Sequence, residues 1–323
     1  MFKRIFSGLL AAILMIGAAA LAPALAEDKL SVVTTIFPIY DWVREIVGDD
    51  ENVEITLLLD SGVDLHSYQP TAQDVMKIAT CDVFIYVGGE SDAWVDDALN
   101  TAVNPDRKVV NLMEALGGDV RQEELVEGME AEAEDADEDE EEIEYDEHVW
   151  LSLRNAQKLV KAIAEALGDA DPDGADAWTA NAGAYAEELA GLDDAYATAV
   201  EAGAYRTILF GDRFPFRYLA DDYGLDYYAA FAGCSAESEA SFETIVFLAG
   251  KVDELGLPAV LTIEGSDGRI AQTVVQSTAS KDAEILKLDA MQATTAADAQ
   301  NGASYIGIMV DNLEVLKAAL GSR

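Results

Sequence analysis

Basic side chains are scarce in this sequence. Twenty Lys and Arg residues stand against 62 Asp and Glu in a chain of 323 residues, which gives a formal net charge of −42. Such a surface repels nucleic-acid phosphates and anionic lipid headgroups, and it attracts cations. The imbalance excludes DNA or RNA as a partner. The acidity alone is equally typical of an exported protein, or of one from a salty environment, that charge keeps apart from its neighbours.

Recognisable catalytic motifs are also missing. The chain contains no HExxH, no GxSxG and no Cys–His arrangement of the kind that nucleophilic enzymes use. These absences argue against an enzyme. Beyond the N-terminal segment, no apolar run is long enough to span a bilayer.

The N-terminus predicts export. Lys3 and Arg4 precede an apolar run, residues 5–22, and Ala24-Leu25-Ala26 fits the small-x-small rule for signal peptidase. We therefore predict a signal peptide over residues 1–26, with an uncleaved anchor as the alternative. No cysteine follows the run, so no lipid attachment site is present there, and we expect a soluble periplasmic or extracellular protein.

Only two cysteines are present, Cys81 and Cys234. An exported chain permits a disulfide. However, the two residues lie far apart in sequence, and the segment ATCDVFIYVG around Cys81 is typical of a buried strand. A buried free thiol at Cys81 therefore fits at least as well as a bridge.

Apolar strands alternate with helical patterns along most of the chain, which predicts an α/β fold with mostly parallel sheets flanked by helices. We predict an N-terminal lobe over residues 27–172, one linking helix over 173–202 and a C-terminal lobe over 203–323. Thr71 is expected to start one helix, and Asn155 is a candidate cap for another.

An acidic tract interrupts the alternation. Residues 123–147 include sixteen Asp and Glu, about a quarter of the 62 in the chain, with little apolar content. Like charges repel and nothing can be buried, so we predict a mobile loop over residues 120–147. The tract either concentrates cations near a site or is a solvated spacer; both interpretations stay open.

Three residues mark candidate sites at the ends of predicted elements. His66 lies between a strand and a helix, His148 directly precedes an ordered segment, and Asp289 follows a strand. Ligands of open α/β sheets gather at the carboxyl ends of strands. Two imidazoles with carboxylates suit Zn²⁺, and a carboxylate-rich set leans toward Mn²⁺. The alternatives are a surface or capping histidine and an ordinary loop aspartate.

Several segments, in this order, resemble the zinc/manganese solute-binding proteins of ABC importers, the metal-specific group with a rigid helical linker. The resemblance covers nearly the whole mature chain and rests on VVTTIFPIYDWVREIVG, LLDSGVDLHSYQPTAQDV, YDEHVWLSLRNA, FRYLADDYGL and LKLDAMQ. It implies that His66, His148 and Asp289 are metal ligands. Glu264 matches an acidic position near the family's site and is not expected to be a ligand. The implied partner is a membrane permease, and we expect a monomer.

The chain departs from this family at the third ligand. The family has His or Glu five residues before the Tyr of a helix; that Tyr is Tyr218 here, so the position is Arg213. A guanidinium cannot ligate a metal. Either Asp212 supplies the oxygen instead, or Arg213 pairs with a nearby carboxylate and leaves three protein ligands plus water. We predict His66, His148, Asp289 and Asp212 as the metal site.

The resulting prediction is an exported binding protein that captures Zn²⁺, or secondarily Mn²⁺, between two lobes and delivers it to an ABC permease. One alternative is a metal-dependent hydrolase with Glu264 as general base. The other is an acidic surface adhesin. A continuous helix between the lobes is expected to resist wide opening, so metal release would need local rearrangement.

Overall fold

A computed structural model describes residues 29–130, 144–235 and 239–322. The predicted signal peptide and residues 131–143 of the acidic tract lie outside the described residues. Within the described part of the chain, no helix combines the length and the apolar character needed to cross a membrane.

The first lobe is a parallel sheet of four strands in the order β2-β1-β3-β4. The strands are β1 Leu30–Thr34, β2 Val53–Leu57, β3 Val83–Tyr86 and β4 Lys108–Asn111. Its helices are α1 Phe37–Val47, α2 Ala72–Thr80, α3 Trp94–Leu99, α4 Leu112–Leu116 and α5 Leu153–Ala170. All four residues of β3 are buried, as expected for a central parallel strand covered on both faces.

A single helix, α6 Ala175–Ala202, follows the first lobe. At 1.5 Å per residue its 28 residues span roughly 42 Å. It packs on both lobes: Asn181 donates to the carbonyl of Ile46 in α1 at 2.9 Å, and Tyr196 donates to the carbonyl of Met309 in the second lobe at 2.6 Å. The segment predicted as a linking helix is therefore one uninterrupted helix that contacts both lobes.

The second lobe repeats the topology of the first, with a parallel sheet in the order β6-β5-β7-β8. Its strands are β5 Thr207–Phe214, β6 Asp226–Ala232, β7 Ala259–Ile263 and β8 Glu284–Leu288. Its helices are α7 Arg217–Tyr223, α8 Phe242–Leu255, α9 Arg269–Ser277, α10 Ala296–Gln300 and α11 Tyr305–Ala319. The prediction of two parallel α/β lobes is confirmed.

Helix starts show where local sequence decides structure. Thr71 caps α2: its hydroxyl accepts from the Asp74 N–H at 3.2 Å, and the Asp74 side chain accepts in return from the Thr71 N–H. The expectation of a cap at Asn155 is wrong. Ser152 is the cap, and its hydroxyl accepts from the Asn155 N–H at 3.0 Å. Asn155 already lies in the first turn, where its own N–H needs an acceptor.

Hydrogen bonds between buried groups join the lobes. Trp150 donates from Nε1 to the carbonyl of Ala290 at 2.8 Å, and the Tyr305 hydroxyl donates to the carbonyl of Trp150 at 2.6 Å. The Tyr305 N–H, at the start of α11, donates to Asp41 of α1 at 2.7 Å. These three bonds, called the interlobe bonds below, fix the two lobes relative to each other, and two of them are made by Trp150, two residues after His148.

Candidate metal centre

The two histidines meet in the cleft between the lobes. In each sheet the strand order reverses beside a central strand, β1 or β5, and the carboxyl ends of the strands form a crevice there. His66 lies on one 3-10 turn after β2, where Asp64 accepts from the His66 N–H at 3.0 Å. His148 is fully buried. The Nε2 atoms of the two rings are 3.2 Å apart.

Hydrogen bonds at the opposite ring nitrogens orient both imidazoles. His148 Nδ1 lies 3.0 Å from Asp146 Oδ1, and His66 Nδ1 lies 2.7 Å from the Ser91 hydroxyl. Such partners at one nitrogen fix the ring and direct the other nitrogen toward a metal. The two Nε2 atoms therefore face the same point in the cleft.

The pKa values of His66 and His148 are shifted in opposite directions. Burial, and then the neighbouring His148, lowers the pKa of His66 to about 3. Burial acts in the same direction on His148, but the carboxylate of Asp146 outweighs it and raises the pKa of His148 above its ordinary value. Burial thus opposes a positive charge on His66, whereas Asp146 favours one on His148.

Further polar side chains close around the rings. Glu147 accepts from the Ser91 N–H at 2.8 Å and lies 3.6 Å from His66 Nδ1; burial raises its pKa. Gln292, oriented so that both ends of its amide are satisfied, donates to Asp64 at 2.7 and 2.8 Å and accepts from His148 Nε2 at 3.2 Å. The second lobe therefore contacts the imidazole pair through the loop after β8.

Arg213 pairs with a carboxylate, which is the second of the two arrangements considered from the sequence. Its Nη2 lies 2.6 Å from Asp64 Oδ2, and its Nη1 donates to the carbonyl of Ser235 at 3.2 Å. Burial acts to raise the pKa of Asp64, but the guanidinium outweighs it and holds that pKa below its ordinary value. The guanidinium thus links the loop after β2 to the loop after β6.

The two predicted aspartates make other bonds. Asp212 accepts from the Arg213 N–H at 2.9 Å and from the Ile263 N–H at 3.5 Å. Asp289 accepts from the Met291 N–H at 2.8 Å. Its neighbour Glu264 accepts from two backbone N–H groups of the same loop, and burial and then the charge of Asp289 raise the pKa of Glu264 to about 7.

The structure brings a cysteine to the histidines instead. Among the described residues, the group of His, Cys, Asp or Glu side chains with ligand atoms all within 4.8 Å of one another consists of His66, His148 and Cys234. Asp212 and Asp289 lie outside this group. Both cysteines are free; Cys81 is buried, and Cys234 is partly buried. The sequence held one unused signal for Cys234: it lies two residues after the apolar segment that forms β6.

Two α/β lobes with two imidazoles and a thiol gathered between them are typical of a two-lobed binding protein. The family model of the zinc-uptake complex component A, periplasmic, matches residues 32–319. The chain belongs to this family, and the resemblance seen in the sequence is confirmed.

Known relatives agree with this assignment. The zinc-binding lipoprotein AdcA of Streptococcus pneumoniae is 34% identical over 296 residues, which are 90% of this chain but 56% of that protein. The chain thus spans about half the length of this relative. The high-affinity zinc uptake system protein ZnuA of Bacillus subtilis is 32% identical over 91% of this chain and 88% of its own length. The Zn(II)-bound ZnuA-like domain of S. pneumoniae AdcA is 29% identical with a TM-score of 0.69, over 90% of this chain and 99% of that domain.

Proposed function

We propose that this chain is the extracytoplasmic solute-binding component of a metal importer. It captures one divalent transition metal, Zn²⁺ first and Mn²⁺ second, between its lobes and delivers the ion to the membrane permease of an ABC transporter. The observation that carries the proposal is the pair of imidazole nitrogens 3.2 Å apart, each ring oriented by a partner at its other nitrogen. Imidazole is a preferred ligand of Zn²⁺.

His66, His148 and Asp289 are proposed as ligands, with Asp212 as the candidate for the remaining ligand position, where the family's ligand is replaced by Arg213. Asp289 directly follows β8, and Asp212 lies near the end of β5. Both are therefore close to the carboxyl edge of the second sheet. Each already accepts a backbone N–H, so ligation would use its remaining lone pairs or require a small shift of its loop.

The protein is proposed to act as a carrier and not as an enzyme. Its relatives are named for zinc binding and zinc uptake. A hydrolase needs an open metal position with a water and a general base. Hydrolysis of simple esters by the zinc-loaded protein would contradict the proposal.

Release is proposed to occur by local rearrangement. The continuous helix α6 and the interlobe bonds oppose a wide hinge opening. Solution scattering of metal-free and metal-loaded protein should give nearly equal radii of gyration; a large difference would contradict this.

The test of metal capture is native mass spectrometry of the mature chain, residues 27–323, after removal of metal and titration with Zn²⁺ or Mn²⁺. We expect one tightly held ion on a monomer, and loss of that ion in His66→Ala and in His148→Ala. Asp289→Ala and Asp212→Ala, measured in parallel, show which carboxylate contributes. Several loosely held ions that neither histidine variant affects would contradict the proposal and assign metal binding to the acidic tract.

A further inference from the structure

Cys234 occupies the second-lobe position that corresponds to the loop of His66. The two sheets have matching strand orders, in which β6 stands where β2 stands. His66 follows β2, and Cys234 follows β6. The sulfur of Cys234 lies within 4.8 Å of ligand nitrogens of both His66 and His148. Each lobe therefore places a side chain that can bind a metal after the corresponding edge strand of its sheet.

Arg213 helps to hold this cysteine in place. Its guanidinium binds Asp64 of the His66 loop and the carbonyl of Ser235, the residue after Cys234. Arg213 cannot bind a metal itself. Arg213, at the position of the family's third ligand, thus links the loop of His66 to the loop of Cys234 and helps to keep the two side chains opposite each other.

The backbone before Cys234 is unusually close to His148. A Cβ placed on Gly233 would lie 3.0 Å from His148 Cε1 and 2.9 Å from the carbonyl oxygen of Phe214. Only a residue without a side chain allows this approach without displacement of a neighbour. The close approach brings the next residue, Cys234, to the imidazoles.

The other cysteine lacks this environment. Cys81 is fully buried at the end of α2, and its thiol donates to the carbonyl of Ile78 in its own helix at 3.2 Å. It belongs to the apolar core of the first lobe. The chain therefore contains an internal control, a cysteine with a purely structural environment.

From this geometry we propose that Cys234 is the third protein ligand, so that the site is His66, His148 and Cys234 with one further position. This inference rests on the proposed function and specifies its cargo. When the ion binds, the thiol releases its proton to solvent and the thiolate bonds to the metal. Thiolate is a soft ligand that suits Zn²⁺, whereas Mn²⁺ prefers oxygen. The cargo is therefore Zn²⁺ in preference to Mn²⁺.

Co²⁺ tests the sulfur ligand directly, because a Co²⁺–thiolate bond gives a near-ultraviolet charge-transfer band that imidazole and carboxylate do not give. We expect the band in the metal-stripped wild-type chain titrated with Co²⁺ and in Cys81→Ala, and its loss in Cys234→Ala and Cys234→Ser. Cys234→Ser keeps the shape of the side chain, so its circular dichroism should match that of the wild type.

Zn²⁺ and Mn²⁺ affinities, measured by competition with a chelator, complete the test. In Cys234→Ala we expect Zn²⁺ affinity to fall by roughly tenfold or more, because loss of a residue that only hydrogen-bonds a metal ligand already costs about tenfold. Mn²⁺ affinity should be almost unchanged. Tight Zn²⁺ binding with no charge-transfer band, and equal in Cys234→Ala, would overturn this inference and leave the proposed function intact. Failure of the wild-type chain to bind Zn²⁺ would overturn both.

Discussion

The loops after β2 and β6 hold corresponding positions in the two lobes, but they are held in different ways. His66 is supported mainly by its own lobe: Asp64, Ser91 and Glu147 all belong to it. Cys234 is supported across the cleft, since its N–H donates to Glu123 of the first lobe at 3.4 Å. The first half of the site is therefore preorganised within one lobe, whereas the second half depends on how the lobes fit together.

This comparison predicts that disturbing the fit between the lobes affects the cysteine side most. Asp41 takes part in one of the interlobe bonds and can be used to disturb this fit. It is fully buried in α1 and accepts from the Tyr305 N–H of the second lobe. Burial is the main cause that raises the pKa of Asp41 from 3.8 to about 6. The folded protein thus binds a proton at Asp41 more tightly than the unfolded chain does.

The sign of the pH effect follows from this difference. Between about pH 4 and pH 6 the folded state holds more protons at Asp41, so stability falls as pH rises through that window. Asp41→Asn removes this contribution. From pH 4 to pH 7, the free energy of unfolding of the variant should rise relative to that of the wild type by on the order of 2–3 kcal/mol. Urea unfolding of the metal-free proteins at both pH values measures it; an equal stability difference at the two pH values would contradict the prediction.

Gly233 and Gly62 allow the two loops to be compared directly. Gly233→Ala places a Cβ 2.9 Å from a backbone oxygen and 3.0 Å from the His148 ring, so we expect about 1–3 kcal/mol of destabilisation. Zn²⁺ affinity should fall with it, because the shift moves both Cys234 and His148. Gly62→Ala has more room, with the nearest atom at 3.7 Å, but its φ of +70° costs an alanine about 1–2 kcal/mol.

We therefore expect Gly62→Ala to lower stability with a smaller change in Zn²⁺ affinity than Gly233→Ala. Chemical unfolding and chelator competition on the same two samples provide the measurements. If the two variants lose affinity equally, the lobes hold their loops in the same way and the comparison fails.

The sequence predicted the alternating strands and helices because these elements depend on residue patterns over short stretches of the chain. Apolar strands that alternate with helical patterns indicated the two sheets, and Thr71 indicated the start of α2. The two five-residue helices α4 and α10 were missed, since so few residues cannot show a helical period. Both histidines were singled out because each lies at the entry to an ordered element.

Cys234 was missed for a physical reason. Its role depends on the correspondence between the two sheets and on the close approach of Gly233 to His148, and neither is visible in a linear pattern. From the sequence, Asp212, one residue before Arg213, was one candidate for the third ligand, and a pairing of Arg213 with a carboxylate was the alternative. The structure brings the sulfur from the adjacent strand of the same sheet, as parallel pairing of β5 with β6 allows.

The Tyr305 hydroxyl tests the interlobe bonds with a matched control. Tyr305→Phe leaves the buried carbonyl of Trp150 without its 2.6 Å donor, and Tyr196→Phe does the same to the carbonyl of Met309. Each should cost about 1–2 kcal/mol in unfolding free energy. The rings of Trp150 and His148 are 5.2 Å apart. Only Tyr305→Phe should therefore also weaken Zn²⁺ binding, and a similar loss in Tyr196→Phe would assign both effects to general destabilisation.

The smallest expected effect tests whether the third ligand can be moved back to the end of β5. In the Cys234→Ala background, Arg213→His offers an imidazole at the position where the resemblance places the family's third ligand, but it also removes the ion pair with Asp64. We expect partial recovery of Zn²⁺ affinity, a few-fold over Cys234→Ala alone, because a nitrogen ligand replaces the sulfur while its loop loses an anchor. Arg213→Ala in the same background is the control and should recover nothing. Equal affinities in the two double variants would mean that a side chain at the end of β5 does not reach the metal. The ligand position after β6 would then have replaced it in this chain.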